Sequence, residues 1–258
     1  MKTIILAGGL GTRIAEETES KPKPMVLIDD KPIIWHLMNI FSNQGFNDFV
    51  IALGYRGEAI KSWLRDLHEL DGSIQIETGT GKVTRLNKNS SVDWNVAAIE
   101  TGLTTQTGGR IEKCMRLFPS ERVMVTYGDG LGNVNLNNLI KFHEEQGKLA
   151  TVTAVRPPAR FGHIVLDDKL VSHFGEKNQM DAGWINGGFF VLEPEVINYI
   201  LADDEAFETG ALVRLVKEGQ LSAYRHEGFW QPMDTLRERN ELANLAKSPK
   251  PVWLNIKP

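Results

Sequence analysis

Thr3-Ile4-Ile5-Leu6-Ala7-Gly8-Gly9-Leu10-Gly11-Thr12-Arg13, followed by Lys21-Pro22-Lys23-Pro24-Met25, is the stretch that decides how this chain is read. The apolar run from Thr3 to Ala7 reads as a buried strand. It stops abruptly in three glycines, a threonine and an arginine. Glycines let a backbone turn tightly and approach a ligand closely. Successive N–H groups in such a turn form a concavity that attracts anions. Arg13 and Lys23 add fixed positive charge beside it. A polyphosphate site is implied, with a nucleoside triphosphate as its natural occupant.

Two commoner glycine motifs do not fit. A Walker loop needs Gly-Lys-Ser/Thr, and none follows Gly11. A dinucleotide fingerprint counted from Gly9 needs Gly or Ala at position 14, where Ile14 stands.

Working outward, strand and helix signals alternate. Pro32 to Gln44 carries apolar residues at 33, 34, 37, 38, 40 and 41, which is helical spacing, with Gly45 just beyond. Asp48 to Gly54 reads as a second buried strand and Glu58 to Leu67 as an amphipathic helix. Ile74 to Glu77 is a short strand, and the polar stretch Thr78 to Asp93 reads as a loop or hairpin. A helix is expected over Arg110 to Phe118, a strand over Arg122 to Asp129, a helix over Leu136 to Glu145 and a strand over Leu149 to Val155. Later strand signals fall at 164–166, 170–174, 189–192 and 221–224, with a last helix over Glu238 to Lys247. This alternation predicts an α/β fold: a Rossmann-like, mostly parallel sheet with helices on both faces. One domain over residues 1–258 is expected, with a nucleotide-binding half (1–155) and a second half (156–258) that completes the sheet and adds a small lobe. Ligands of such sheets sit beyond the carboxyl ends of the strands, where Gly8 and Asp129 both fall.

Composition narrows the class. The 258 residues carry 29 Lys and Arg against 33 Asp and Glu, a net charge of −4, and the pI near 5.9 argues against nucleic acid as a partner. A single cysteine, Cys114, excludes an internal disulfide and reads as a small buried hydrophobe. A signal peptide is not expected, because Lys2 is followed by only five apolar residues before the glycines. No apolar run approaches the length of a membrane helix. A cytoplasmic setting without a membrane partner is expected.

Two acids stand out. Asp129 lies between glycines in Tyr127-Gly128-Asp129-Gly130, and Asp234 lies in Phe229-Trp230-Gln231-Pro232-Met233-Asp234-Thr235. One or two carboxylates plus substrate phosphates are the usual holders of Mg²⁺. Taken alone, either acid reads equally as a turn residue or a helix N-cap.

Leu6 to Arg13 with Lys21 to Met25 resembles the signature of the sugar-phosphate nucleotidylyltransferases. The segments Glu100 to Arg110, Trp184 to Phe190 and Gly228 to Asp234 resemble the cytidylyltransferase branch of that family, so the likeness spans nearly the whole chain. The resemblance implies transfer of a cytidylyl group from CTP to a sugar 1-phosphate, α-D-glucose 1-phosphate, with release of pyrophosphate. It assigns the nucleotide to Leu6, Ala7, Gly8, Gly9, Leu10, Gly11, Thr12, Arg13, Lys23, Thr105, Arg110 and Gly128. It assigns the sugar phosphate to Glu176, Lys177, Asn186 and Gly187, and Mg²⁺ to Asp129 and Asp234. Arg13, Lys23 and Asp129 would carry catalysis. A homo-oligomer, trimer or hexamer, is implied, in which a neighbouring subunit can complete the nucleotide pocket. The product would feed synthesis of deoxyhexoses for bacterial surface polysaccharide.

Two departures bear on the acceptor. Asn178 stands where the family has proline, and Gly210-Ala211 replaces a Glu-Pro-Leu-like stretch. They leave open the same chemistry with UTP or dTTP or another phosphorylated acceptor. A nucleotide-sensing homologue without catalysis is the other alternative. The joint presence of Arg13, Lys23, Asp129 and Asp234 argues against it, since a sensor does not need all four.

Overall fold

The computed structural model describes residues 1–9, 15–18, 21–69, 72–87, 92–157, 162–167, 170–176 and 183–256. Leu10, Gly11, Thr12, Arg13, Lys177 and Asn178 lie outside the described residues.

Seven strands form one sheet: β1 (Lys2–Ala7), β2 (Asp48–Leu53), β3 (Asn95–Glu100), β4 (Val123–Tyr127), β5 (Ala150–Val155), β6 (Ile185–Leu192) and β7 (Leu221–His226). Their order is β7-β5-β6-β4-β1-β2-β3. β1 pairs in parallel with β2 and β4, β2 with β3, and β5 with β7. β6 alone runs antiparallel, to β4 on one side and β5 on the other. The mostly parallel sheet expected from the sequence is therefore present. Strands from the second half of the chain are built into it.

The strands are apolar on both faces because helices cover both. Alternate residues of a strand point to opposite faces, and β1 divides accordingly. Ile5 and Ala7 join one core with Phe49, Ile51, Met124 and Phe189. Ile4 and Leu6 join the other with Val50, Val125 and Phe190. The first face is closed by α1 (Ile33–Ser42), α2 (Gly57–Glu69), α4 (Leu136–Gln146) and α6 (Leu236–Ala246), through Leu37, Ile60, Leu139 and Leu242. The second is closed by α3 (Thr107–Met115) and α5 (Ala211–Lys217), through Ile111, Met115, Leu212 and Leu215. Each such side chain, fully buried, contributes about 1.5–3 kcal/mol. Cys114 is buried in the second core, where burial pushes its thiol up to about 12, as its reading as a small hydrophobe requires.

The helix expected from Arg110 begins three residues earlier, at Thr107. Gly108 and Gly109 read as helix breakers, but the segment before α5 braces them: Gln106 N–H donates to Asp203 O at 2.9 Å and Gly108 N–H to Glu205 O at 3.2 Å. The polar stretch after Glu77 contains the second strand of a hairpin, Ile74–Glu77 with Lys82–Arg85. A second hairpin, Gly162–Asp167 with Leu170–Glu176, stands apart from the main sheet. Glu176 is its last residue. Among the described residues no helix is long and apolar enough to cross a membrane.

Candidate active site

β1 and β4 lie side by side and parallel, so Gly8 and Asp129 emerge at the same edge of the sheet. The Gly128 N–H donates to Leu6 O at 3.0 Å and ties the two exits together. A cleft of about 760 Å³ opens there, bounded by Leu6 to Gly9, Lys23, residues 103–107, Arg110, Tyr127, Asp129 and Asp234.

Lys23 sits in a short 3₁₀ turn, Lys23–Met25, flanked by Pro22 and Pro24. The prolines fix backbone angles on both sides, and the turn closes through Met25 N–H to Pro22 O at 2.8 Å. The residue is 9% exposed. Its Nζ donates to Asp129 Oδ2 and to Asp234 Oδ1, each at 2.7 Å. Burial alone would lower the Lys23 pKa, but the two carboxylates outweigh it and hold it above the ordinary lysine value.

Asp129 and Asp234 are brought together by a two-stranded antiparallel ribbon in which Gly130 faces Pro232 and Gly132 faces Trp230. Asp234 is then fixed at the start of α6 by a capping box. Thr235 Oγ1 accepts from Glu238 N–H at 3.2 Å. Glu238 Oε2 accepts from the backbone N–H groups of Thr235 at 3.0 Å and Asp234 at 2.7 Å. Two carboxylates therefore converge on one cationic position, which the Lys23 ammonium fills. This donor set suits a hard divalent cation completed by phosphate oxygens. Among the described residues no group of three or more His, Cys, Asp or Glu is placed to hold a metal ion.

Arg110 is 4% exposed and forms the base of the glycine turn. Nη1 donates to Leu53 O at 2.9 Å and Thr101 Oγ1 at 2.5 Å, and Nη2 to Gly8 O at 3.1 Å. Burial lowers its pKa. The guanidinium runs so close under the turn that a Cβ on Gly8 would stand 2.1 Å from Nη1. Gly8 is therefore small to admit Arg110, whereas a Cβ on Gly9 would meet open space. Thr105 Oγ1 donates to Thr101 O at 2.7 Å, capping the loop that leads into α3.

Asn186 is the second residue of β6, and its side chain reaches Tyr127. Its Nδ2 donates to the Tyr127 hydroxyl at 2.9 Å and its Oδ1 accepts from Gly188 N–H at 2.8 Å. Gly187 O accepts from Trp230 Nε1 at 2.8 Å, which joins this segment to the Asp129–Asp234 ribbon. Glu208, absent from the sequence-based site, accepts from Tyr127 through one carboxylate oxygen and from Thr107 Oγ1, at 2.7 Å, through the other. Its position in an irregular segment ahead of α5 left no periodic signal by which to find it.

Lys23, Asp129, Asp234, Arg110, Thr105, Gly8, Gly9 and Gly128 thus line one cleft, and Asn186 and Gly187 adjoin it through Tyr127 and Trp230. The same arrangement of chain is found in solved structures. HddC from Yersinia pseudotuberculosis superposes with a TM-score of 0.68 at 22% identity over 95% of this chain and 99% of that one. A UDP-glucose pyrophosphorylase complexed with UDP-glucose superposes at 0.66 and 19%, over 94% and 97%. At those identities the likeness is one of fold. Sequence relatives are nearer. A probable glucose-1-phosphate cytidylyltransferase of Bacillus subtilis (strain 168) is 41% identical over 98% of this chain and 99% of its own length. The glucose-1-phosphate cytidylyltransferase of Salmonella typhimurium is 43% identical, over 98% of each. The nucleotidyl transferase family model matches residues 2–237, from the first strand through both aspartates, and the chain belongs to that family.

Proposed function

We propose that the protein transfers a cytidylyl group from CTP to α-D-glucose 1-phosphate, giving CDP-glucose and pyrophosphate. The observation that carries the reading is the convergence of Lys23, Asp129 and Asp234 in a cleft floored by the glycine turn. The cytidylyltransferases that share 41–43% of its residues over nearly their full length support the choice of substrates.

The nucleophile is an ionised phosphate oxygen, so attack on the α-phosphorus needs neither a general base nor a covalent intermediate. Catalysis is then positioning and charge stabilisation. A Mg²⁺ ion held by Asp129 and Asp234 would neutralise negative charge on the phosphates. Asp129 and Asp234 would hold that ion, and the Lys23 ammonium between them would bridge the α-phosphate and the incoming phosphate. Arg110 holds Gly8 and the loop at Thr101 in place, which keeps the turn open at Gly9 for the triphosphate. Arg13 serves the β- and γ-phosphates, and Glu176 and Lys177 the sugar phosphate. Asn186 and Gly187 face the sugar. The enzyme works in the cytoplasm as a homo-oligomer, which sedimentation of the purified protein tests.

The deciding experiment is pyrophosphate release from CTP, UTP, dTTP, ATP and GTP against several sugar 1-phosphates, with and without Mg²⁺. Release confined to CTP with glucose 1-phosphate, and abolished by a chelator, is the expected result. Release with another pair keeps the mechanism and replaces the substrate.

A further inference from the structure

Tyr127 is the last residue of β4, one peptide short of the Gly128-Asp129 turn, and its ring is held from two sides. It meets Phe190 edge-on with centroids 5.9 Å apart. On the other side it fills the space a side chain at Gly188 would need: φ there is +78°, and a Cβ would stand 2.4 Å from Tyr127 Cδ2. The hydroxyl is fixed as well. It donates to Glu208 and accepts from Asn186 Nδ2. Burial, reinforced by the charge of Glu208, raises the phenol's pKa well above its ordinary value, so the donated proton stays on tyrosine.

Glu208 is itself pinned. Its second oxygen accepts from Thr107 Oγ1, and that hydroxyl accepts from Phe207 N–H at 2.8 Å. A carboxylate that accepts on both oxygens leaves the phenol one direction in which to donate. The phenol oxygen then presents a lone pair to Asn186, and this decides which end of the amide faces it. The Gly188 N–H makes the same selection from the other end, by donating to Oδ1. One amide hydrogen of Asn186, an exposed residue, remains uncommitted, and a group meeting it has to accept.

We propose that Glu208 and Tyr127 are positioning residues that fix Asn186 as a hydrogen-bond donor to a hydroxyl oxygen of the sugar 1-phosphate, and that they thereby set acceptor specificity. This rests on the reading of Asn186 as a sugar contact. It also gives a role to the 207–212 segment, where Gly210-Ala211 departs from the family pattern while Glu208 supplies the anchoring carboxylate.

The test is steady-state kinetics of Asn186→Ala, Tyr127→Phe, Glu208→Ala and Glu208→Gln, with KM measured separately for CTP and glucose 1-phosphate. Tyr127→Phe and Glu208→Ala are expected to raise KM for the sugar phosphate about tenfold, the scale of one hydrogen bond, with KM for CTP within about twofold. Glu208→Gln, which can still accept from the phenol, recovers part of the loss. The double variant Asn186→Ala/Tyr127→Phe is no worse than Asn186→Ala alone, because both act on one contact. If Asn186→Ala leaves the sugar KM unchanged, the sugar-contact reading fails. If Asn186→Ala raises it while Tyr127→Phe and Glu208→Ala do not, the positioning proposal is overturned and that reading survives. KM values for CTP and sugar rising in step would make the pair a general support of the cleft, which also overturns it.

Discussion

The backbone N–H of Met233 donates to the carbonyl oxygen of Asp129 at 2.8 Å. This bond closes the ribbon that carries both acids of the cleft. It explains how residues 129 and 234, one from each half of the chain, present carboxylates to one ammonium. Lys23 then reports the convergence directly, since its Nζ is equidistant from the two.

Glu238 is the support behind Asp234. Its carboxylate accepts from Asp234 N–H and Thr235 N–H while Thr235 returns the cap. Glu238→Ala leaves two helix-start donors without their partner, a loss of about 1 kcal/mol on the scale of helix caps. Because Asp234 then loses the bond at its backbone N–H, apparent Mg²⁺ affinity is expected to weaken roughly 10–100-fold, as for other groups that orient metal ligands. Urea unfolding with a Mg²⁺ titration of activity measures both. A stability loss with Mg²⁺ dependence like that of the wild type would confine Glu238 to capping.

Lys23→Ala removes the cation that both carboxylates share and the group assigned to the α-phosphate. Turnover is expected to fall by about two orders of magnitude or more, the cost of one charge-stabilising donor. Asp129→Ala should fall as far by loss of the metal. Near-normal turnover by Lys23→Ala, from an enzyme of unchanged thermal stability, would remove lysine from the mechanism.

Arg110 and Gly8 are coupled by contact. A methyl group at Gly8 meets the guanidinium at 2.1 Å, and Arg110 cannot move without releasing carbonyls of Gly8 and Leu53. Arg110→Ala takes one donor from each carbonyl, while Gly8 O keeps Tyr55 N–H and Leu53 O keeps Thr101, so the cost is that of the lost bonds, about 1.5–3 kcal/mol for a bond to a charged group. Gly8→Ala should destabilise the enzyme by a comparable amount. The double variant is expected to cost less than the sum, since the clash disappears with the arginine. Additive free energies from denaturant unfolding would mean that the glycine is required for another reason.

Much of this was legible in the sequence, and the rest was hidden for identifiable reasons. Thr3 to Ala7 and Asp48 to Leu53 announce buried strands because both faces of each are covered. α1 shows its periodicity because one face is core. Asn95–Glu100 gives no strand signal because an edge strand is half-exposed and this one is built on small residues. α5 has only seven residues and too few turns to display a period. Lys23, Asp129 and Asp234 stood out through their glycine and proline neighbours, but their meeting depends on the 130–132 and 230–232 ribbon, a long-range pairing with no local signature. The resemblance gives Arg110 to the nucleotide, and the sequence places it at the start of a helix. The helix starts three residues earlier, and Arg110 lines the cleft with its fork mainly on backbone carbonyls, an anchoring that only the packing at Gly8 reveals.

The far end of the sheet carries a titrating cluster of its own. His143, 1% exposed, has Nδ1 2.7 Å from Thr151 Oγ1 and Nε2 3.2 Å from Glu193 Oε1. Burial lowers its pKa below 6.5 despite Glu193. Burial likewise outweighs the remaining influences on His36 and lowers it. Glu193 is opposed by burial, yet its bonds from Arg122 and His143 hold it below 4.5. A histidine with a depressed folded pKa favours its neutral form, so the unfolded chain takes up a proton first as pH falls. Stability is therefore complete above pH 6.5 and declines as pH drops beneath it. The slope approaches about 1.4 kcal/mol per pH unit for each such proton. Glu193 acts in a lower window: its contribution is present above pH 4.5 and is lost as pH falls through its depressed folded value. Urea unfolding from pH 8 to pH 5 should show the decline, and His143→Gln should make it shallower while His36 maintains the remainder. A His143→Gln profile parallel to the wild type below pH 6.5 would show that this imidazole does not titrate between folded and unfolded chains.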